Sequence, residues 1–204
     1  MATAIVDYGL GNLGSIANML KVIGEKVYIT DDVQKICDAD RLILPGVGAF
    51  DAGMINLHQK GLDKLICTEA KSGKPILGIC LGMQLLGRNS EEGKLPGLGL
   101  IPFDNIRFRI DETSGLKVPH MGWDIVNFQK ESPLLEGITG EQRYYFVHSY
   151  HARCDSKENV LMTCDYGYEF TAAVVKNNIY GVQFHPEKSH DFGMRILDNF
   201  VRRC

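Results

Sequence analysis

Cys80 is the residue around which a reaction can be built. It lies in Pro75-Ile-Leu-Gly-Ile-Cys-Leu-Gly-Met-Gln-Leu-Leu86, with Gly78 and Gly82 two residues to either side. The first half is a short apolar run, as expected of a strand buried on both faces. From Leu81 onward the residues are helix formers. A nucleophile between glycines at ±2, where strand gives way to helix, predicts a sharp turn that holds the sulfur clear of the sheet. The helix N-terminus favours thiolate over thiol. The Leu81 N–H points at the place where an oxyanion would form. The alternative is a thiol packed as a small apolar side chain; the paired glycines and the change of element argue against it.

A thiolate nucleophile needs a base, a group to orient the base, and an oxyanion site. Of six histidines (58, 120, 148, 151, 185 and 190), His185 has the best context, in Gly181-Val-Gln-Phe-His-Pro-Glu187. Like Cys80, it follows the end of an apolar run, so both open onto one carboxyl-end crevice of a parallel sheet. Pro186 is expected to bar helix and hold the backbone extended, leaving His185 and Glu187 on one side. The carboxylate then fixes the imidazole tautomer. His148 is second choice. His151, three residues on in the same expected strand, falls on the opposite face, which suits no shared metal. His120 reads as structural or as a pocket wall, and His58 and His190 as exposed helix positions.

The first half of the chain must position these groups by alternating strand and helix. Strands are expected at Thr3–Asp7, Lys26–Thr30 and Arg41–Leu44, and helices after Leu13, over Asp31–Cys37 and over Gly61–Ser72. Gly9, Gly11 and Gly14 nearly match a dinucleotide-binding turn, but the supporting acid is ambiguous between Asp31 and Asp32, and that reading is discounted. Gly46-Val47-Gly48 follows the third strand, where the backbone must turn tightly or approach something closely. Beyond Leu86 short strand-like runs dominate: Ile106–Ile110, Trp123–Phe128, Tyr144–Tyr150, Val160–Asp165, Thr171–Lys176 and Ile179–Phe184. A helix returns over Ser189–Arg202. The expected fold class is α/β, a mostly parallel twisted central sheet flanked by helices with antiparallel strand additions. A single domain over residues 1–204 is expected, as no linker or repeat interrupts it.

The bulk properties narrow the class. A 204-residue chain with 45% apolar and 23% charged residues has an ordinary globular composition. A net charge of −3 offers nucleic acid and acidic membranes no general attraction. No apolar run reaches spanning length and no leader pattern opens the chain, so a cytoplasmic protein without membrane contact is expected. The six cysteines (37, 67, 80, 154, 164 and 204) form no C-x-x-C, so neither a metal site nor a dithiol pair is expected.

The Gly78–Gln84 and Gly181–Glu187 motifs together resemble those of class I (triad-type) glutamine amidotransferases. Asp7-Tyr-Gly-Leu-Gly-Asn-Leu13, Leu44-Pro-Gly-Val-Gly48, Pro119-His-Met-Gly-Trp123 and Tyr145-Phe-Val-His-Ser-Tyr150 narrow the resemblance to the glutaminase subunits of imidazole glycerol phosphate synthases. It runs from residue 3 to about 200. The resemblance implies a flavodoxin-like fold and no cofactor. It implies Cys80 as nucleophile, His185 as proton carrier and Glu187 as its orienter. The oxyanion donors would be Leu81 N–H and, after rearrangement of Gly46–Gly48, Val47 N–H. Gly46, Gly48, Gln84, Glu92, His148, Ser149 and Tyr150 would meet L-glutamine, with Glu91 leaving the register of Glu92 open. A (β/α)8-barrel cyclase would be the partner in a heterodimer and consume the ammonia, with Asn12, Trp123, Tyr145 and Lys188 facing it. Trp123 reads from sequence equally as a core residue. Asp124 stands where the resemblance leads one to expect Asn, which keeps open a paralogue that feeds a surface-sugar synthetase. Another cysteine hydrolase on the same fold is the remaining alternative.

Overall fold

The computed structural model describes the backbone of all 204 residues and the side chains of all but Glu112. The chain opens with β1 (Ala2–Val6), α1 (Leu13–Val22), β2 (Lys26–Thr30), α2 (Val33–Asp38) and β3 (Arg41–Gly46). Then come α3 (Phe50–Gln59), α4 (Leu62–Lys71), β4 (Ile76–Cys80) and α5 (Leu81–Leu85). The strand-rich part holds β5 (Asn89–Ser90), β6 (Phe103–Arg107), β7 (His120–Phe128), β8 (Gln142–His148) and β9 (Tyr150–Cys154). It continues through β10 (Val160–Asp165), β11 (Glu169–Lys176) and β12 (Ile179–Val182) to the closing α6 (His190–Arg203).

All twelve strands join one sheet, ordered β2-β1-β3-β4-β12-β11-β10-β7-β8, with β9, β6 and β5 branching from β11. The first five in that order run parallel, and the pairs from β12 to β8 are antiparallel. β3, β4 and β12 are buried along their whole length, which explains their unbroken apolar sequence. Their side chains alternate between two cores. Ile5, Ile43, Leu77 and Ile79 meet α1 and α6 on one face; Val6, Leu42, Leu44 and Ile76 meet α3 and α4 on the other.

Four local expectations are corrected. Helix α3, immediately after the glycine loop, is not among the expected helices, since its interior Gly53 and short apolar spacing weaken the helical pattern. Tyr144–Tyr150 is not one strand: the chain turns at Ser149, and β8 ends where β9 begins. His148 and His151 therefore do not point to opposite faces. Both rings pack on Phe108, with centroids 5.1 and 4.7 Å away. Pro186 does not keep the backbone extended; it opens a 3-10 turn over Pro186–Lys188, the first-turn position where its missing N–H costs nothing.

The turn at Cys80 is held by close packing. Cys80 has φ 54° and ψ −112°, a conformation costing about 1–3 kcal/mol in a non-glycine residue. A Cβ on Gly78 would lie 2.7 Å from the Gly82 carbonyl oxygen, and one on Gly82 only 1.7 Å from that of Leu44. Gly46 is equally tight, its notional Cβ 2.8 Å from that of Leu81. These glycines let α5 lie directly on β3 and β4. The Gly82→Ala variant is therefore expected to lose about 3 kcal/mol or more of stability, the upper range for overpacking. Urea unfolding followed by circular dichroism will read it; a loss below about 0.5 kcal/mol, ordinary for a surface change, contradicts this packing.

Candidate active site

Cys80 ends β4 and His185 follows β12, its parallel neighbour, three residues past the last strand position. Both line a cavity of about 280 Å³. Val47, Gly48, Leu81, Gln84, Glu92, His148, Ser149 and Tyr150 line the same space, joined by Pro119 and Val147. Residues from six separated stretches of chain thus meet where the sequence motifs led one to look. Gly46 stands apart: it lies within β3, and its missing side chain makes room for Leu81 and the Tyr8 hydroxyl.

The 3-10 turn brings Glu187 back onto the imidazole. His185 Nδ1 and Glu187 Oε1 are 2.8 Å apart, and both side chains are almost wholly buried. Nδ1–H donates to the carboxylate, which fixes the tautomer. Nε2 is buried without a hydrogen-bond partner and remains free to exchange a proton with Cys80. Burial lowers the His185 pKa, but interaction with the Cys80 sulfur and with Glu187 outweighs it, and the net shift is upward. Ser189 Oγ donates to the His185 carbonyl and accepts from Tyr145 N–H, tying the turn to β8. Gly193 lets α6 close on it, where a Cβ would stand 1.9 Å from the Pro186 carbonyl oxygen.

Two ambiguities in the sequence resolve by geometry. Glu92 lines the cavity and accepts from Phe50 N–H at the start of α3. Glu91 turns away, accepting from Arg107 N–H and pairing with Arg109. Trp123 is 40% exposed and is not a core residue; it stacks on His190 with centroids 5.4 Å apart. Tyr145 is 6.2 Å from it, with the Lys188 ammonium over the tyrosine ring. Asn12, exposed at the start of α1, makes no side-chain cap and follows Gly11, which packs on Pro45 and Gly46.

One site residue had no role assigned from sequence. Gln183, fully buried, donates from Nε2 to Cys80 Sγ at 3.7 Å and accepts from Gln84 Nε2 at 3.1 Å. Its signal was present: an amide in an otherwise apolar run needs a buried partner. Gln84 also donates to the Tyr150 carbonyl at 3.2 Å.

The fold sets a thiol at a strained turn beside a buried His–Glu pair, an arrangement suited to attack by sulfur on a carbonyl carbon. The glutamine amidotransferase class-I family model matches residues 4–204, and the chain belongs to that family. It is 51% identical, over 98% of its own length and 99% of the relative's, to imidazole glycerol phosphate synthase subunit HisH 2 of Methanococcus maripaludis. It is 53% identical to imidazole glycerol phosphate synthase subunit HisH of Sulfurimonas denitrificans, over 98% and 97% of the two chains. In fold it matches the structure of PurLQS from Thermotoga maritima, with a TM-score of 0.75 and 21% identity over 98% of this chain and 97% of that one.

The upward shift at His185 has a sign that can be tested. A histidine whose folded pKa exceeds its unfolded value of about 6.5 contributes stability that is complete below that value. The contribution is lost as pH rises through the folded pKa. The Glu187→Gln variant should lower this pKa, because burial then has less to oppose it. Its stability deficit against the wild type, measured by urea unfolding, should shrink between neutral and alkaline pH. A deficit that grows with pH would refute the buried ion pair.

Proposed function

We propose that the chain is the glutaminase subunit of an imidazole glycerol phosphate synthase in histidine biosynthesis. It hydrolyses L-glutamine to glutamate and ammonia. The observation that carries the reading is Cys80 at its strained turn beside an imidazole whose Nε2 is free and whose Nδ1 is held by Glu187. Relatives at about 50% identity over nearly the whole chain support the reading. Both carry the imidazole glycerol phosphate synthase name, which leaves the surface-sugar alternative without support.

In this reading the Cys80 thiolate attacks the amide carbon of glutamine. The carbonyl π electrons move onto oxygen, where Leu81 N–H stabilises the charge. His185 donates its proton to the departing nitrogen, ammonia leaves, and a γ-glutamyl thioester remains. Water then gives a proton to His185, attacks the thioester and releases glutamate and the thiolate. Glu187 keeps His185 oriented and balances its charge throughout. Glu92 faces the substrate ammonium, and the Ser149–Tyr150 backbone faces the rest of the amino-acid head. Val47 N–H is the second oxyanion donor once the Gly46–Gly48 loop rearranges.

The ammonia passes to a synthase subunit, which we take to be a (β/α)8-barrel cyclase in a heterodimer. It docks on the face that presents Asn12, Trp123, Tyr145 and Lys188. A direct path matters because ammonia in neutral water is mostly non-nucleophilic ammonium. Glutamate release is expected to be abolished in Cys80→Ala. The isolated chain should turn over about 10²–10³ times slower than the assembly with barrel cyclase and nucleotide, the worth of one oxyanion donor. Equal rates with and without the partner would remove the loop rearrangement from the mechanism.

A further inference from the structure

A string of buried polar groups leads from the docking face to the nucleophile. Asp124, on β7 beside Trp123, has a side chain 39% exposed. Its Oδ2 is 2.6 Å from His120 Nε2. His120 Nδ1 is 3.2 Å from His148 Nε2, and His148 Nδ1 is 2.8 Å from the Tyr150 carbonyl oxygen. That carbonyl accepts from Gln84, which bonds Gln183, which donates to Cys80 Sγ. The register makes this possible: His120 and His148 face each other across β7 and β8, and Asp124 shares the inward side of β7 at i+4.

Counting protons along the string gives an unexpected result. Both ends of its histidine portion are acceptors, a carboxylate and a carbonyl. The three contacts between them need three protons. Two neutral imidazoles supply only two. The third proton therefore belongs to the pair at the outer end. His148 is a poor place for it: burial drives its pKa down to about 3, and neighbouring His120, His151 and His185 drive it the same way. His120 has the only carboxylate in the string. It lies between Phe146 and Tyr166, centroids 4.9 and 4.0 Å away, with Phe108 edge-on. Burial lowers its pKa and Asp124 raises it, the net shift being downward, so this proton is loosely held.

We propose that Asp124 is a positioning residue for the glutamine site: with His120 it holds the one proton that completes the string, and so fixes the His148–Tyr150 wall of the cavity. Parking the charge at the outer end also keeps a cation away from His185. The charged and titratable groups facing the string are Asp124, Tyr166 and Cys164 at the outer end. At the inner end they are His151, with Tyr168 on its Nε2, and His185. Loss of the proton leaves one contact with two lone pairs opposed and loosens the wall.

Asp124→Asn separates this from a merely structural role. An asparagine amide can donate to His120 Nε2, so His120 Nδ1–H donates to His148 with both rings neutral. The string is then complete without a third proton. The wild-type and Asp124→Asn chains are labelled with ¹⁵N-histidine and titrated. The expected wild-type result is a His120 ring protonated on both nitrogens at the acid end of the titration that loses one proton as pH rises. In Asp124→Asn, only Nδ1 should be protonated throughout. Glutaminase kinetics on the assembled enzyme supply the second readout, which rests on the proposed function. The wild-type KM for glutamine should rise about two- to tenfold as His120 deprotonates, the net worth of one hydrogen bond. That of Asp124→Asn should stay flat. A wild-type His120 that stays singly protonated down to the acid limit of the folded state, or the same KM profile in both chains, overturns the proposal. An assembly without any glutamine turnover would strike at the functional reading alone, and the ring titration would still decide the proton.

Discussion

The close approach of one short helix to two strands is the constraint on which the rest depends. Helix α5 begins immediately after Cys80, and its first turn lies where Gly46, Gly78 and Gly82 have no side chains. Any Cβ at those three positions would intrude on backbone, on Leu81 or on the Tyr8 hydroxyl. The left-handed backbone at Cys80 follows from that geometry and is held by surrounding packing, not by local preference. Three consequences come together there. The sulfur stands at the end of β4, Leu81 follows it at the first position of α5, and the loop after β3 passes directly alongside. Tyr8 reinforces that neighbourhood, its hydroxyl donating to the Pro45 carbonyl at 2.6 Å.

The second constraint is electrostatic. Removing a histidine and a glutamate from water is costly unless each meets the other in good geometry. The 3-10 turn after β12 achieves this within three residues, and α6 seals it by closing on Pro186. The free Nε2 is an unsatisfied buried polar atom, which a purely structural residue would avoid. In the proposed mechanism that lack is useful, since the nitrogen takes and returns a proton.

The antiparallel half of the sheet supplies the other wall. β7 presents Met121, Trp123 and Ile125 to solvent on one side. It sends His120 and Asp124 to the other, toward a packed set of aromatic rings. A single strand thus forms the exposed face and, through its alternate residues, supports the cavity. Gly11 makes a similar link on the opposite flank, with Asn12 exposed and Pro45 beneath. Contacts made on the surface therefore lie one residue away from both halves of the site.

Much of this was legible in the chain. The apolar runs at Ile76–Cys80 and Ile179–Val182, the glycines around Cys80 and the His-Pro-Glu spacing each encode a local requirement that no distant residue alters. Other features depended on pairs formed far apart in sequence. Asn159 bonds the Val175 carbonyl, and Glu92 is distinguished from Glu91 by Phe50, more than forty residues earlier, and by Arg107 and Arg109, which hold Glu91 away. The bend at Ser149 separates two strand-like segments with no glycine or proline to announce it, so strand alternation alone puts His148 and His151 on opposite faces. Sequence alone determined which groups could react and the kind of turn that exposes them, because those are properties of adjacent residues. Only the tertiary structure decided which nitrogen is left bare, where Trp123 points and that Asp124, His120, His148 and the Tyr150 carbonyl stand in one line of contacts. Those depend on distances between strands brought side by side, and such distances are set by packing.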